Sequence, residues 1–153
     1  MTNDADLTLI TGFGSEEKFI AALLKHFRPR REDALEFALR RRILLLRAAN
    51  DVPLDVALAG IPFEERTIER ASAWRISDAT RLTTCCAEDL IVHKVFAGRE
   101  LDWLDVTRTL QRQGKRLDFK LIFRELRPLL ELKEEPENEE KLRRLMEREG
   151  LEL

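Results

Sequence analysis

A change of hydrophobic period partway along the chain narrows its possible folds more than any other feature. Up to about residue 86 the apolar residues alternate or gather in short runs, the pattern of strands; beyond Ala87 they recur every three to four residues, the pattern of helices. Helices are expected over 87–97, 101–113, 118–130 and 137–149, with Gly98, Gly114 and Pro136 as the breaks. The first half predicts a strand over 4–10, ended by Gly12-Phe13-Gly14. A helix capped by Ser15 follows, whose Phe19, Ile20, Leu23, Leu24 and Phe27 form one buried stripe. Past Arg28-Pro29 a basic, poorly patterned connection leads to a buried strand over 42–48. Asn50-Asp51 then turns the chain into a returning strand over 52–58. A polar helix over 62–71 and extended pieces around Trp74-Arg75-Ile76 and 81–84 complete this part. The fold class is therefore α/β: a small mixed sheet followed by a helical C-terminal half. Its expected divisions are a core over 1–86, a helical part of the same domain over 87–131, and a charged C-terminal helix over 132–153.

A chain of 153 residues can bury a core without disulfides or a structural metal. Charged residues make up 37% of it, above the roughly 25% usual for soluble proteins, so surface helices are expected to carry the excess. The net charge is only -2, which provides no global field for nucleic acid or an anionic membrane. The two cysteines, Cys85 and Cys86, are adjacent and unsuited to an ordinary disulfide with each other, as expected in a reducing compartment. There is no apolar run of signal-peptide or membrane-spanning length, so the expected location is the cytoplasm. His26 and His93 lack ligand spacing with each other or with the cysteines, and no zinc site is expected.

The candidate chemistry lies in the carboxylates. Asp4 and Asp6, two apart on a strand, project from the same face while Ala5 and Leu7 turn toward the core. Two like charges held together favour a cation between them, and hard Mg²⁺ suits a site of one or two carboxylates completed by water and phosphate oxygens. Asp55 interrupts the alternating Leu54, Val56 and Leu58 with a single charge aimed at the opposite face. A solvated strand end for Asp4 and Asp6, and a turn-adjacent surface position for Asp55, are the alternative readings. Lys94 falls between Leu90 and Ile91 on its helix, either as a phosphate ligand or as a lysine whose stem lies on the core. Asp102 and Asp105 share a face with Thr109 and Arg112, the pattern of a solvated face with internal ion pairs, and Arg99 is placed to pair with either.

Thr2-x-Asp4-x-Asp6-Leu7 together with Val52-Pro53-Leu54-Asp55-Val56 resembles the acidic signature of the nucleotidyltransferase superfamily, in particular its small AbiEii-like branch associated with toxin–antitoxin pairs. The run Ala87-Glu88-Asp89-Leu90-Ile91-x-x-Lys94-x-x-Ala97-x-Arg99-x-x-Asp102-x-x-Asp105 is similar to that branch's helical signature. The resemblance implies that Asp4 and Asp6 are the primary ligands of two Mg²⁺ ions, with Asp55 the third ligand nearest the acceptor. The ions would bridge the triphosphate of an NTP, so that a nucleoside monophosphate passes to a hydroxyl with loss of pyrophosphate. It also implies nucleotide-binding roles for Lys94 and Arg99, and offers Asp102 and Asp105 as further site residues. A cognate antitoxin or another protein, or an RNA acceptor, would be the partner.

The family places a strand and a Gly-Ser helix start ahead of the acidic pair, where this sequence has Met1, Thr2 and Asn3. Two readings follow: an active transferase, or a catalytically disabled domain that binds a partner. The expectation for the chain as it stands is weak nucleotide binding, little transfer, and self-association through an open sheet edge. Gly12-x-Gly14-Ser15 reads as a capped turn in preference to a phosphate cradle. The clusters Arg28-Pro29-Arg30-Arg31 and Arg40-Arg41-Arg42 read as solvated surface, and His93 as an exposed neighbour of Lys94.

Overall fold

A computed structural model describes residues 4–152. It is mixed α/β, and it divides between Arg66 and Thr67 into two compact units. In the first unit the order is β1 (Ala5–Ile10), α1 (Glu16–Leu24), β2 (Arg28–Pro29), α2 (Ala34–Arg41), β3 (Ile43–Arg47) and β4 (Pro53–Ala59). The strands form one sheet in the order β1-β4-β3-β2, with β1 parallel to β4 and the other pairs antiparallel. The β3–β4 hairpin closes through Asp51, whose φ of 65° is a left-handed conformation that Asp tolerates better than most residues.

Alternation sorts the sheet into two faces. Leu44 and Leu46 of β3 and Val56 and Leu58 of β4 point to one side and are buried with Ile20 of α1 and Ala34 and Ala38 of α2. Leu9 and Leu54 pack against the same cluster. Leu7, expected in the core, lies in register with Val56 yet is 49% exposed; β1 is an edge strand of the sheet, with a neighbour on one side alone.

Helix α2 occupies what the sequence pattern presents as a connection. Its buried contacts are the two alanines Ala34 and Ala38, while Leu35 and Leu39 are exposed, so its inward stripe is small and carries little hydrophobic signal. The helix ends at Arg42 in a left-handed conformation, φ 54°. Such a backbone costs roughly 1–2 kcal/mol for a residue with a Cβ. Contacts of the Arg42 side chain offset that cost: Nη1 donates to Glu16 Oε1 at 2.5 Å, Nη2 donates to the Gly12 carbonyl at 3.0 Å, and the guanidinium lies 4.3 Å over the Phe13 ring. The Gly12–Gly14 turn is thus clamped from below by Arg42, and Ser15 makes no side-chain capping bond. A Cβ on Gly60 would come within 3.1 Å of both the Arg42 guanidinium and the Phe13 ring, which makes glycine the residue that lets this clamp close.

Helix α3 (Pro62–Glu69) crosses the boundary between the units. The second unit continues with β5 (Ser72–Arg75) and β6 (Arg81–Thr84), an antiparallel pair forming its own two-stranded sheet with every residue exposed. Next come α4 (Ala87–Ala97), α5 (Glu100–Gln113), a short 3-10 turn (Gly114–Arg116), α6 (Phe119–Lys133) and α7 (Glu137–Arg148). Helix α4 packs on α5, α6 and α7, so it is buried on several sides by Asp89, Ile91, Val92 and Val95. Val106, Leu110, Ile122, Leu126, Leu130 and Leu142 supply much of the opposing core. Among the described residues no helix is long and apolar enough to cross a membrane.

Candidate functional site

The sheet face opposite the first unit's core carries the candidate site. The parallel register aligns Asp6 with Asp55, so the two carboxylates leave neighbouring strands on the same side, from backbones roughly 4.8 Å apart. Asp6 is exposed and Asp55 half-buried. Asp4 precedes β1 and is exposed, two residues before Asp6. Thr2, the first residue of the acidic motif, lies outside the described residues, as do Met1 and Asn3.

A cation of the protein's own already sits at this face. The Arg30 backbone N–H donates to the Leu45 carbonyl at 3.0 Å, extending the β2–β3 pairing by one residue, and Leu45 is in register with Asp55. From that position the Arg30 Nη2 reaches across β3 to make an ion pair with Asp55 Oδ1. Both side chains keep only about a quarter of their exposure, 24% and 25%. Arg30 Nε is buried without a hydrogen-bond partner. The basic clusters are therefore not uniformly solvated surface. Arg30 and Arg42 are built into the unit, whereas Arg28 pairs with Asp51, both exposed, and Arg31 with Asp33.

Carboxylate oxygens on adjacent strands have the right chemistry for a hard divalent cation. Asp55, however, has part of its charge met by Arg30. Among the described residues no three His, Cys, Asp or Glu side chains gather into a group able to hold a metal.

The helical signature residues form two networks inside the second unit. At the corner between α4 and α5, Gly98 takes the left-handed conformation, φ 71°, that ends α4. Asp102 is buried to 1% exposure, which corrects its reading as part of a solvated face. It accepts from the Arg99 backbone at 3.3 Å, from Arg99 Nε at 2.6 Å and from Lys94 Nζ at 3.2 Å. Lys94 also pairs with Asp105, half-exposed, at 3.2 Å. Burial tends to lower the Lys94 pKa, but the hydrogen bonds that its ammonium donates to Asp102 and Asp105 outweigh it and the net shift is upward. For Asp102 burial pushes up, and the bonds from Arg99 and Lys94 bring the carboxyl below its ordinary value. Lys94, Arg99, Asp102 and Asp105 thus clasp one another at one corner. His93 is half-buried there and not an exposed neighbour.

The second network escaped sequence reasoning. Asp89, with no exposure, accepts from Arg70 Nε at 3.0 Å and Nη2 at 2.6 Å; Glu125, also buried, accepts from Arg70 Nη1 at 3.1 Å. The Cys86 thiol donates to Asp89 Oδ2 at 3.1 Å, and the Asp89 backbone N–H donates to Cys86 Sγ, capping α4. Burial first, with the neighbouring carboxylate adding to it, raises the Cys86 thiol to about 12, and burial raises Cys85 as well. Both thiols are free. An aspartate inside the apolar run of α4 was the signal available for this network; its partners on 70 and 125 are too distant in sequence to announce themselves.

No protein-family model matches the chain, and no curated protein is significantly similar to it.

Proposed function

We propose that the first unit is a nucleotidyltransferase-like domain that binds a divalent cation and the phosphates of an NTP on the sheet face carrying Asp6 and Asp55, with Asp4 beside them, and passes a nucleoside monophosphate to a hydroxyl acceptor. The observation that carries this reading is the register of Asp6 with Asp55 across a parallel strand pair, on the face turned away from the core. Asp6, Asp55 and Asp4 would hold Mg²⁺, which when bound neutralises charge on entering and leaving phosphate oxygens. Arg30 supplies a fixed positive charge at the same face, suited to orienting a phosphate oxygen bound next to Asp55. The resemblance of the acidic motifs to the AbiEii-like branch supports the same reading and suggests a toxin–antitoxin setting, with an antitoxin protein or an RNA acceptor as partner.

A second reading is favoured by the Arg30–Asp55 ion pair itself. An arginine that neutralises the third carboxylate does the electrostatic work of a metal without the metal, as in a disabled domain retained to bind a partner. Equilibrium dialysis with Mn²⁺ and labelling with each α-labelled NTP separate the two, using the wild-type chain, Asp55→Asn and Arg30→Ala. A transferase binds Mn²⁺ as wild type, labels an acceptor, and loses both in Asp55→Asn. A disabled domain labels nothing and gains Mn²⁺ affinity only in Arg30→Ala, where Asp55 is released. If neither wild type nor Arg30→Ala binds Mn²⁺ at millimolar concentration, the carboxylate face is not a metal site and both readings fall.

A further inference from the structure

Helices α5 and α7 lie side by side and run in the same direction. Lys141 Nζ of α7 sits 4.2 Å over the Trp103 ring of α5, and about two turns further along each helix Gln111 donates to Glu149 at 3.3 Å. On their outer side they leave a groove of about 590 Å³, with Leu101, Leu104 and Thr107 on one wall and Arg144, Leu145 and Arg148 on the other. Leu101 is 74% exposed and Leu104 51%, large apolar side chains with no cover of their own. Each wall repeats at helical spacing, so the groove is shaped for a third helix laid along the first two.

Its charge is one-sided. Lys141, Arg144 and Arg148 line it against the single acid Glu100, on a chain whose net charge is -2. Arg148 makes no hydrogen bond or ion pair among the described residues, and Arg144 only a 3.9 Å contact with exposed Glu140. Lys141 covers the Trp103 ring, which is itself 7% exposed, so the groove offers no open aromatic face on which a nucleobase could stack. An apolar floor with a basic wall matches an amphipathic helix whose apolar stripe is flanked by carboxylates.

We propose that the α5–α7 groove is a docking site for an acidic amphipathic helix of a protein partner, with leucine-like anchors at i and i+4 seated on Leu101, Leu104 and Leu145. No residue of the carboxylate face lines the groove, so either proposal can fail while the other stands. The probe is a fluorescein-labelled peptide of about five turns, with Leu at i, i+4 and i+7 and Glu on both flanks, beside the same peptide with Lys for Glu. Fluorescence anisotropy with the full chain should show saturable binding of the acidic peptide, weakened by added salt and at least about tenfold weaker for the Lys peptide. Arg144→Glu combined with Arg148→Glu, and separately Leu104→Asp, should each cost about tenfold or more in affinity, with unchanged circular dichroism because all three side chains face the groove or solvent. If the double reversal lowers the melting temperature, Arg148→Ala replaces it. Equal affinity for the two peptides, no saturation, or indifference to these variants overturns the proposal. So does co-sedimentation with anionic phospholipid vesicles that depends on the same arginines while the peptide does not bind. A dimer in sedimentation equilibrium that Leu104→Asp dissociates would assign the groove to a second copy of the chain and overturn it too.

Discussion

Replacing Arg70 with Met should destabilise the second unit by about 3 kcal/mol, because it takes the guanidinium away from the fully buried Asp89 carboxylate. Asp89 has no exposure and Glu125 has 3% of its side-chain surface, whereas Arg70 retains 24%. Breaking a buried pair typically costs about 3–5 kcal/mol, and the partial access of water at Arg70 places this case at the lower end. Met keeps the length and packing of the arginine stem, so the loss is electrostatic and not a cavity. Tryptophan fluorescence in a urea titration is the assay, since both tryptophans, Trp74 and Trp103, lie in the second unit and only Trp103 is buried. A loss of about 3 kcal/mol reduces the folded-to-unfolded ratio roughly a hundredfold. The companion variant, Arg70→Met with Asp89→Asn, removes both charges of that buried pair and should recover most of the loss. A single-variant loss under about 1 kcal/mol, or a double variant no more stable than the single, would show that the pair is not charge-limited and would refute the reasoning.

Asp102 provides a pH test. Its folded-state carboxyl is held below its ordinary 3.8 by Arg99 and Lys94 against the effect of burial. Its contribution is therefore fully present above that value and is lost as the pH falls through the lower folded-state value. The stability gap between wild type and Asp102→Asn should narrow as the pH is lowered from about 5 to about 2, and a gap that stays constant across urea titrations in this range would remove the carboxylate from acid unfolding. At Gly98, φ 71°, an alanine Cβ would be strained and would stand 3.2 Å from Asn138. Gly98→Ala should cost about 1–2 kcal/mol, read as a lower thermal midpoint, and an unchanged midpoint would show that the corner tolerates a side chain.

The sequence carried most of the fold because period and punctuation are local. Leu44, Leu46, Val56 and Leu58 alternate and are buried on one face, and the breaks at Gly98, Gly114 and Pro136 fall between the helices where the pattern sets them. Helix α2 was illegible for the converse reason, since Ala34 and Ala38 hold it to the sheet with side chains too small to mark a stripe. Alternation along one strand also fixed that Asp55 points away from the core. It could not align Asp55 with Asp6, because register between strands separated by two helices and a hairpin depends on how the whole sheet packs.

The charge partnerships that join separate elements were decided by tertiary structure. Arg30 with Asp55, Arg42 with Glu16, and Arg70 with Asp89 and Glu125 join positions 19 to 55 residues apart, and no local rule selects among the chain's 27 Lys and Arg for 29 Asp and Glu. The sequence pairs Arg99 with Asp102 because they sit one helical turn apart, and that pairing forms. Whether Asp102 is solvated or buried depends on what α4 lays over it, and a helix wheel holds no information about the neighbouring helix.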